Sequence, residues 1–562
     1  MEDGTRAADV DGSSRSAERI VVLGGGYVAT TLVRQLRRAM RTGRAQVTVV
    51  TRDNFHSFHG FVPEMVVGRI SPANILSPAR RAFPPAKVHV AEIESIDLAA
   101  RNITTSRDLD GARFELGFDH LVLGLGSAEN SDAYPGLAEH AFKLKTYDDC
   151  FRLRNHIVQM FELADIETDP EERRRLLTFF VAGGGFSGTE LAAELADLVR
   201  LLTKREYPGI EREECRVVLV HPGETILPEL YGGRSLESKG GFPHLVEYAT
   251  DHIRRLGVEL MTETRVVGTT PIAVHLSNGV HVPTRTVISA VGTRASPLLD
   301  QLDVPRDDRG RVKVDEFLRV DDVERLWAGG DCAAVPHPRG GTCPPVGLYA
   351  IQHGRQIGRN LARELEGRPL RPFRFAGLGQ GVSIGRRRAV GEVKGIALKG
   401  TFTWLIWRLA RLRYVPSRDR QVHILADWLL SGVVGRDIVQ LLRHHAGDFD
   451  VRQNVFQPGE TIAERRRPVR LVHIVIEGEV ELLHSRDGEA AVFETIGPGD
   501  HFGRKSLEYK DAESARAKTA VRTLALREDQ ANELQDALLS TGRITARTGV
   551  FDAAALRRGS AD

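Results

Sequence analysis

Two stretches of this chain have nearly the same sequence, VVLGGGYVATTL at residues 21–32 and VAGGGFSGTELAAEL at residues 181–195. Each joins an apolar, strand-like segment to a glycine-rich turn and the start of a helical pattern. In a G-x-G-x-x-G turn, the first glycine permits the sharp bend, the second lets a pyrophosphate approach the backbone, and the third packs helix on strand. One such turn is often only a packing device, whereas two in the same context predict two dinucleotide sites.

Both copies predict a strand, a turn, a helix and a second strand. The first copy places the regular elements at 20–23, 30–40 and 46–50, and the second at 177–182, from near 190, and at 216–220. In both, a pyrophosphate would lie over the helix N-terminus, whose first N–H groups lack intrahelical partners. The candidate cofactor-binding residues of the two turns are Gly24, Gly25, Gly26, Ala29, Gly183, Gly185 and Gly188.

Length and composition limit the class of protein. A chain of 562 residues is too long for one hydrophobic core, so about three or four domains are expected. The formal net charge of +2 gives no overall attraction to nucleic acid, and none is expected as a partner. The 4 cysteines show no C-x-x-C pair and no metal-ligand spacing, which fits a reducing compartment and predicts no metal site. No apolar run is long enough to cross a bilayer.

The order of the patterns predicts one nucleotide-binding domain inserted into another, followed by two smaller units. The expected fold class is α/β, with two Rossmann-like domains, an amphipathic helical unit and an all-β jelly roll. The expected boundaries are a disordered tail at 1–18, the first domain at 19–150 and 293–371, the inserted domain at 151–292, the helical unit at 372–446, the β-roll at 447–545 and a tail at 546–562.

Further sequence motifs, which we call landmarks, narrow the class of protein. They lie between residues 19 and 445 and read LVLGLGS, FKLKTYDDCFRLRNHI, GGGFSGTELAAEL, AVGTRASPLL, AGGDCA and PPVGLYAIQHGRQIGRNL. With these motifs the chain resembles the two-dinucleotide flavoproteins, and among them the type II NADH dehydrogenases, monotopic enzymes that pass electrons from NADH to quinone. The reactive cysteine pair of the disulfide reductases in this class is missing. The resemblance implies FAD in the first domain and NADH in the inserted one.

The resemblance also implies roles for single residues. Asp331 is expected to hydrogen-bond the FAD ribityl chain, and Glu190 to lie beside the flavin where the nicotinamide docks. Gly126 and Gly292, in two of the landmark turns, are expected to contact the cofactors. From the residues alone, Asp331 could instead cap a helix, and Glu190 could be an exposed carboxylate favoured by the helix dipole. The cofactors carry out hydride transfer themselves, so no catalytic triad is expected.

Two positions depart from the family pattern for ribose binding. Where family members carry an acid that holds the adenosine ribose of FAD, this chain has Thr51, so either its hydroxyl or Asp53 would take that place. In the inserted domain the matching acid is replaced by His221. A neutral histidine removes a repulsion against a 2′-phosphate and makes NADPH use possible, although no arginine stands next to it, which favours NADH. The alternative is a loop histidine that faces solvent.

The quinone motif departs as well. Family members read A-Q-x-A-x-Q on the helix after the returning strand, whereas residues 347–352 read GLYAIQ. Only Gln352 keeps its amide, and it either faces a quinone or packs under the flavin. A quinone or another lipophilic acceptor is the expected electron acceptor.

Residues 402–416, FTWLIWRLARLRYVP, favour a membrane surface. Arg408 and Arg411 lie off a single apolar helical stripe and Trp404 and Trp407 flank it, the composition of an in-plane anchor. The stripe consists of Phe402, Leu405, Ile406, Leu409 and Leu412. The segment RDIVQLLRHH at 436–445 is expected to add a second anchor. The alternative is a stripe buried in a homodimer interface. The expected location is cytoplasmic, at the inner face of the cell membrane.

The last unit, with VFQPGETI, HIVIEGEVELL and IGPGDHFG, resembles a cyclic-nucleotide-binding domain. In that family a glutamate holds the ribose and an arginine nine residues later pairs with the cyclic phosphate. Here these positions are Arg504 and Glu513, so both charges are inverted and we expect no cyclic nucleotide to bind. The two side chains are expected to pair with each other or to point into solvent.

Together these features predict a peripheral membrane flavoenzyme that transfers hydride from NAD(P)H to FAD and electrons to a quinone-type acceptor. Two alternatives stay open: a flavoenzyme acting on a specialised lipophilic substrate, and a non-catalytic redox sensor that signals through the β-roll. Turnover with a soluble quinone would separate them, because a sensor would bind both nucleotides but consume NADH only slowly.

Overall fold

The computed structural model describes residues 17–107, 109–231, 241–433, 435–441, 452–464, 471–486, 489–503, 507 and 512–527.

The first sheet of the molecule is built around the first glycine motif. Five parallel strands form this sheet, in the order Leu326–Ala328, His120–Leu123, Glu18–Leu23, Ala45–Thr51 and Lys87–Val90. Its central strands are almost entirely buried, as in parallel sheets covered on both faces.

Helices Tyr27–Arg41 and Gly347–Glu364 pack against each other beside this sheet. Their approach is close because Gly354 has no side chain: a Cβ there would lie 2.1 Å from the carbonyl oxygen of Val28. Thr31 Oγ1 donates to the carbonyl of Ile351 at 2.8 Å across the same contact. The predicted first strand–helix–strand unit is confirmed, with the helix starting three residues earlier than expected, at Tyr27.

The second sheet is also parallel and five-stranded. Its order is Ala141–Phe142, Thr286–Ser289, Thr178–Ala182, Arg216–Val220 and Val258–Met261. The strands of the second motif are confirmed, and its helix spans Phe186–Arg205, starting before the expected Glu190. The first strand of this sheet lies ahead of the expected boundary at residue 151. Three further helices contact strands of this sheet, Tyr147–Ile166, Pro170–Leu176 and Pro243–Arg255.

Small antiparallel sheets and short helices surround the two parallel sheets. The paired strands are Glu92–Asp97, Asn102–Ser106 and Arg113–Gly117; Val266–Thr269, Ala273–Leu276 and His281–Pro283; Ser127–Glu129 and Thr293–Ala295; Phe55–Ser57 and Leu76–Pro78; and, in parallel, Val312–Lys313 and Ala333–Ala334. The short helices are His59–Phe61, Val62–Val66, Pro72–Ile75, Ala79–Ala82, Ser131–Ala133, Leu137–His140, Arg212–Glu214, Pro297–Gln301 and Gly330–Cys332.

The third unit joins a small antiparallel sheet to two helices. The strands are Gly379–Ser383, Ala389–Val393 and Ile396–Gly400, and the helices are Thr401–Leu412 and Arg418–Val433. The first helix falls where the apolar stripe predicted it. In the part of the chain that the structure describes, no helix is long and apolar enough to span a bilayer.

The segment expected to add a second anchor, 436–445, is irregular over its described part, residues 436–441. Their backbone groups bond to other elements instead of to each other. Arg154 donates to the carbonyls of Asp437 and Val439, both at 2.9 Å, and the N–H of Leu441 bonds Asn155 Oδ1 at 2.9 Å. The second apolar helix is Arg418–Val433, which the sequence analysis missed.

The fourth unit contains two four-stranded antiparallel sheets. Their orders are Arg452–Phe456, Val521–Arg527, Leu471–Glu477 and His501–Gly503, and Thr461–Glu464, Ser514–Ala517, Val480–Arg486 and Glu489–Ile496. We call this unit the roll. It contacts the second nucleotide-binding domain, since Val455 N–H donates to His140 Nε2 at 3.0 Å and Glu460 lies 2.8 Å from His275 Nε2. The helix expected at 529–539 lies outside the described residues.

A row of buried carboxylates connects the domains. Glu190, Glu194 and Asp197 lie on one face of helix Phe186–Arg205, at the i, i+4, i+7 spacing, and each is at most 6% exposed. Glu190 binds Arg411 of the third unit at 2.8 Å. Glu194 binds Arg69 of the first domain at 2.7 Å, and Asp197 binds Arg436 at 2.5 Å. The row therefore ties three parts of the chain to one helix.

A second buried pair, Glu64 with Arg408, fixes the helix Thr401–Leu412 to the first domain. The Arg408 guanidinium lies between two indole rings, 4.4 Å from the centre of Trp404 and 4.1 Å from that of Trp428. Trp428 Nε1 also donates to Glu64 at 3.0 Å. The helix thus turns its arginines inward, toward the protein.

We expect Arg408→Met to lower the free energy of unfolding by about 3 to 5 kcal/mol, because it leaves the Glu64 charge buried without its main partner. The double variant Glu64→Met/Arg408→Met should recover most of this loss, since no charge remains to be desolvated. Urea unfolding of the flavin-loaded protein measures both. Arg413→Met, at an exposed position just beyond the same helix, is the control. Equal losses in the single and double variants would contradict the ion-pair account.

Candidate functional site

Both glycine turns, which we call the first and second cradles, need glycine for steric reasons. Gly24 has φ +101°, and a Cβ there would lie 2.3 Å from the carbonyl oxygen of Gly124. Gly183 has φ +114°, and a Cβ there would lie 2.2 Å from the carbonyl oxygen of Ala290. In each cradle the turn passes directly over the end of the neighbouring parallel strand, which only glycine allows.

Three other candidate cofactor-binding glycines, one in the first cradle and two in landmark turns, face open space. A Cβ on Gly26, Gly126 or Gly292 would meet no atom within 4 Å. Gly26 is also the N-cap of helix Tyr27–Arg41, and no side chain caps the helix there. The first cradle therefore presents bare backbone and the N–H groups of a helix end to the space in front of it, which suits a pyrophosphate.

The third position of each motif is a packing position. Ala29 is fully buried in the first cradle. In the second cradle a Cβ on Gly188 would lie 1.8 Å from the carbonyl oxygen of Gly183, so the helix packs tightly beneath its own turn. Gly25 is constrained from another side, because its Cβ would lie 2.5 Å from Thr51 Oγ1.

Thr51 is buried at the end of strand Ala45–Thr51, and its hydroxyl donates to the carbonyl of Asp53 at 3.2 Å. Asp53 is 42% exposed and lies 3.7 Å from Arg52, and partial burial raises the pKa of its carboxyl. The Thr51 hydroxyl keeps its lone pairs free to accept, so Thr51 and Asp53 are both polar groups at this strand end.

Asp331 lies in the one-turn helix Gly330–Cys332 at the end of strand Leu326–Ala328, so it does not cap an α-helix. Its Oδ2 accepts from Ser127 Oγ at 3.1 Å and lies 3.9 Å from Lys145 Nζ. Lys145 Nζ also donates to Ser127 Oγ at 2.7 Å. Ser127 and Lys145 are site residues that sequence reasoning missed, although Ser127 stands in the quoted landmark LVLGLGS.

Glu190 is not an exposed first-turn carboxylate. It is 6% exposed, and both its oxygens accept from the Arg411 guanidinium, at 2.8 and 3.3 Å. Burial raises the pKa of the Glu190 carboxyl, while Arg411 opposes that rise. Arg411 also donates to the carbonyl of Gly60 at 3.1 Å, so the pair touches the first domain, the second domain and the helical unit.

Gln352 lies on helix Gly347–Glu364, where its Oε1 accepts from Arg355 at 3.2 Å. At the start of this helix, a Cβ on Gly347 would lie 3.1 Å from the ring of Tyr27. Burial raises the pKa of the Tyr27 phenol well above its usual value. The sequence analysis did not single out Tyr27, whose ring lies against the start of this helix.

His221 follows strand Arg216–Val220 and does not simply face solvent. Its Nδ1 accepts from the N–H of Gly184 at 3.2 Å, and partial burial lowers the pKa of the imidazole. The ring is therefore neutral at physiological pH and lies against the second cradle. His221 thus lies at the end of the second strand of its motif, where the sequence analysis expected the ribose-binding position.

In the roll, Glu513 is exposed, and its N–H donates to the carbonyl of Leu483 at 2.8 Å. Arg504 lies outside the described residues, so the expected Arg504–Glu513 pair is not addressed by the structure.

Two parallel sheets, each ending in a glycine cradle, with Asp331 beside the first and Glu190 beside the second, define a two-dinucleotide flavoprotein. The chain belongs to the pyridine nucleotide-disulphide oxidoreductase family, whose model matches residues 18–354. A second model, for the cyclic nucleotide-binding domain, matches residues 453–537. The cofactors of this class, FAD and a nicotinamide nucleotide, fit the two cradles.

Known proteins with similar sequences share most of the chain. A type II NADH:quinone oxidoreductase of Mycobacterium tuberculosis is 27% identical over 427 residues, covering 74% of this chain and 88% of its own. An internal alternative NAD(P)H-ubiquinone oxidoreductase of Solanum tuberosum is 27% identical over 456 residues, covering 75% and 88%. The solved structure of NDH2 from Plasmodium falciparum in complex with NADH has a TM-score of 0.68 at 17% identity, covering 76% of this chain and 100% of its own.

We expect Asp331→Ala to lose bound FAD, because it removes the carboxylate that Ser127 and Lys145 hold in front of the first cradle. Visible absorbance of the purified protein measures flavin occupancy, and the wild type should be yellow. Asp308→Ala, an exposed acid of the same domain, should keep the colour. Full flavin content in Asp331→Ala would show that this carboxylate does not hold the cofactor.

We expect His221→Glu to widen the preference for NADH over NADPH, measured as the ratio of kcat/KM values. The new carboxylate would face a 2′-phosphate at the ribose position of the second cradle. A shift toward NADPH would mean that His221 does not occupy this position.

Proposed function

We propose that this protein is a peripheral membrane NADH:quinone oxidoreductase that transfers hydride from NADH to FAD and electrons onward to a quinone. The observation that carries this proposal is the orientation of helix Thr401–Leu412. Its arginines reach inward, and Arg411 binds Glu190 beside the second cradle, while its apolar residues face outward. A lipophilic acceptor would thus approach from the apolar side.

Many apolar residues of the third unit are exposed on both helices and at the start of strand Ile396–Gly400, and Phe402 and Leu429 are 73% and 74% exposed. We call this the outer apolar surface. Its members are Ile396, Phe402, Leu405, Ile406, Leu409, Val422, Leu425, Leu429, Leu430 and Val433. Exposed apolar side chains of this kind on a folded domain are typical of proteins that lie in the membrane interface.

The two tryptophans of helix Thr401–Leu412, which the sequence analysis placed at the edge of a membrane anchor, also pack against the protein. Trp404 and Trp407 are half-buried, and both stack on inward-facing arginines. Leu412, expected on the outward stripe, is buried. Membrane contact is therefore assigned to the aliphatic residues and Phe402 rather than to an indole belt.

FAD held in the first cradle would supply the hydride acceptor for the nicotinamide and the electron donor for the quinone. The backbone N–H groups behind Gly26 would hold its pyrophosphate, and Asp331 with Ser127 and Lys145 would hold its ribityl chain. Glu190 would border the site on the nicotinamide side. Its bonds to Arg411 join this wall of the site to the helical unit.

The quinone acceptor is supported by the relatives, two of which are described as quinone or ubiquinone oxidoreductases. Of the amides in the family motif, Gln352 is retained. The Tyr27 phenol and the Glu190–Arg411 pair supply further polar groups close to the start of helix Gly347–Glu364.

We propose that the roll serves as a docking unit on the second nucleotide-binding domain and binds no cyclic nucleotide. Its contacts through His140 and His275 support the first part. Glu513, at the position of the phosphate-binding arginine, supports the second, because a carboxylate repels a cyclic phosphate.

Rapid mixing under anaerobic conditions tests the proposed function. NADH should bleach the flavin absorbance of the full-length protein, and a short-chain ubiquinone should restore it. A flavin that NADH reduces but no quinone reoxidises would exclude quinone as the acceptor. A flavin that NADH fails to reduce would exclude the dehydrogenase activity itself.

We expect the triple variant Phe402→Ser/Leu405→Ser/Leu409→Ser to lose binding to lipid vesicles, since it removes three of the most central apolar contacts. Sedimentation with vesicles measures the bound fraction, and flavin content should be unchanged. The control is Ile166→Ser/Val267→Ser, which removes exposed apolar side chains that do not belong to the third unit. Retained vesicle binding in the triple variant would support the homodimer interface instead.

A further inference from the structure

The two cradles differ in one respect that the glycine motif does not predict. A Cβ on Gly26 in the first cradle would meet nothing within 4 Å. At the equivalent Gly185 in the second cradle, it would lie 2.8 Å from Glu229 Oε1 and 3.9 Å from Oε2. A carboxylate of the protein thus covers the glycine over which a pyrophosphate has to pass.

Glu229 also bonds the helix end. The N–H of Phe186, the first residue of helix Phe186–Arg205, donates to Glu229 Oε1 at 3.2 Å. The first N–H groups of a helix have no intrahelical partner and attract anions. The carboxylate therefore occupies the place that attracts the phosphates of a dinucleotide.

The backbone around Glu229 holds this arrangement. Leu227 N–H donates to the carbonyl of Gly184 at 2.8 Å, which ties the loop to the glycine turn. On the other side, Gln380 Nε2 donates to the backbone carbonyl of Glu229 at 2.8 Å. The carboxylate is thus presented to the second cradle by a loop that is fixed on both sides.

We propose that Glu229 is an internal competitor for the phosphate position of the second cradle, displaced by the pyrophosphate of the nicotinamide nucleotide and returning when the product leaves. This inference rests on the proposed function, in which NADH binds there. FAD stays bound through the catalytic cycle, whereas NADH must enter and NAD⁺ must leave in every cycle. The open first cradle and the covered second cradle match these two requirements.

The test is isothermal titration calorimetry of the full-length, FAD-loaded protein with ADP-ribose and with NAD⁺. Glu229→Gln keeps an oxygen that can accept from Phe186 but removes the charge. We expect it to tighten binding of both ligands by about tenfold, the effect of removing one like charge close to the phosphates. ADP-ribose lacks the nicotinamide, so an equal gain for both ligands places the effect at the pyrophosphate.

Glu206→Gln is the matched control, because it removes the same charge from an exposed position at the opposite end of the same helix and should leave both affinities unchanged. Glu229→Ala should also tighten binding. This variant shows that the gain comes from loss of the carboxylate and not from the new amide of Glu229→Gln. Unchanged or weaker binding in both Glu229 variants would overturn the inference. Failure of the wild-type protein to bind either ligand would instead overturn the proposed function.

Discussion

The row of buried carboxylates on helix Phe186–Arg205 determines how the domains of this protein meet. Buried charges are costly unless each is paired, and here Glu190, Glu194 and Asp197 take arginines from the first domain and from the C-terminal part of the chain. Because the same helix begins at the second cradle, the nucleotide site and the helical unit share one rigid support. Displacing the helical unit would leave at least one of these buried carboxylates without its arginine partner.

This pairing also explains the outer apolar surface. A helix with arginines and apolar residues normally turns the arginines to water. Here Glu64 and Glu190 draw Arg408 and Arg411 inward, so the apolar residues of helix Thr401–Leu412 remain outside. The cost of leaving apolar side chains exposed is removed when a lipid surface covers them. Ion pairs inside the protein thus account for the outer apolar surface.

The parts of the fold that depend on local geometry could be predicted from the sequence. The two cradles follow from glycines whose φ values and close contacts no other residue tolerates, and the strands beside them follow from continuous apolar runs. The pairing of Glu190 with Arg411 could not be predicted, because the two residues are far apart in the chain. The only signal was the i, i+4, i+7 spacing of acids, which places them on one face of the helix among apolar residues.

Other tertiary contacts could not be predicted for a related reason. Residues 436–441 follow an irregular path because Arg154 and Asn155 bond their backbone groups. Glu229 was overlooked because a carboxylate near a phosphate site contradicts the usual motif. Such tertiary contacts decide between local structures that a sequence pattern alone leaves equally favourable.

The central claim is that the inward arginines leave the apolar residues of helix Thr401–Leu412 to contact lipid. Spin labels on Leu405→Cys and Leu409→Cys test it most directly, and the 4 native cysteines are buried. On lipid vesicles, both labels should become accessible to oxygen and shielded from a water-soluble nickel complex, while a label on Ile166→Cys stays in water. Labels at 405 and 409 that remain water-accessible, or that become shielded from both reagents, would contradict the account.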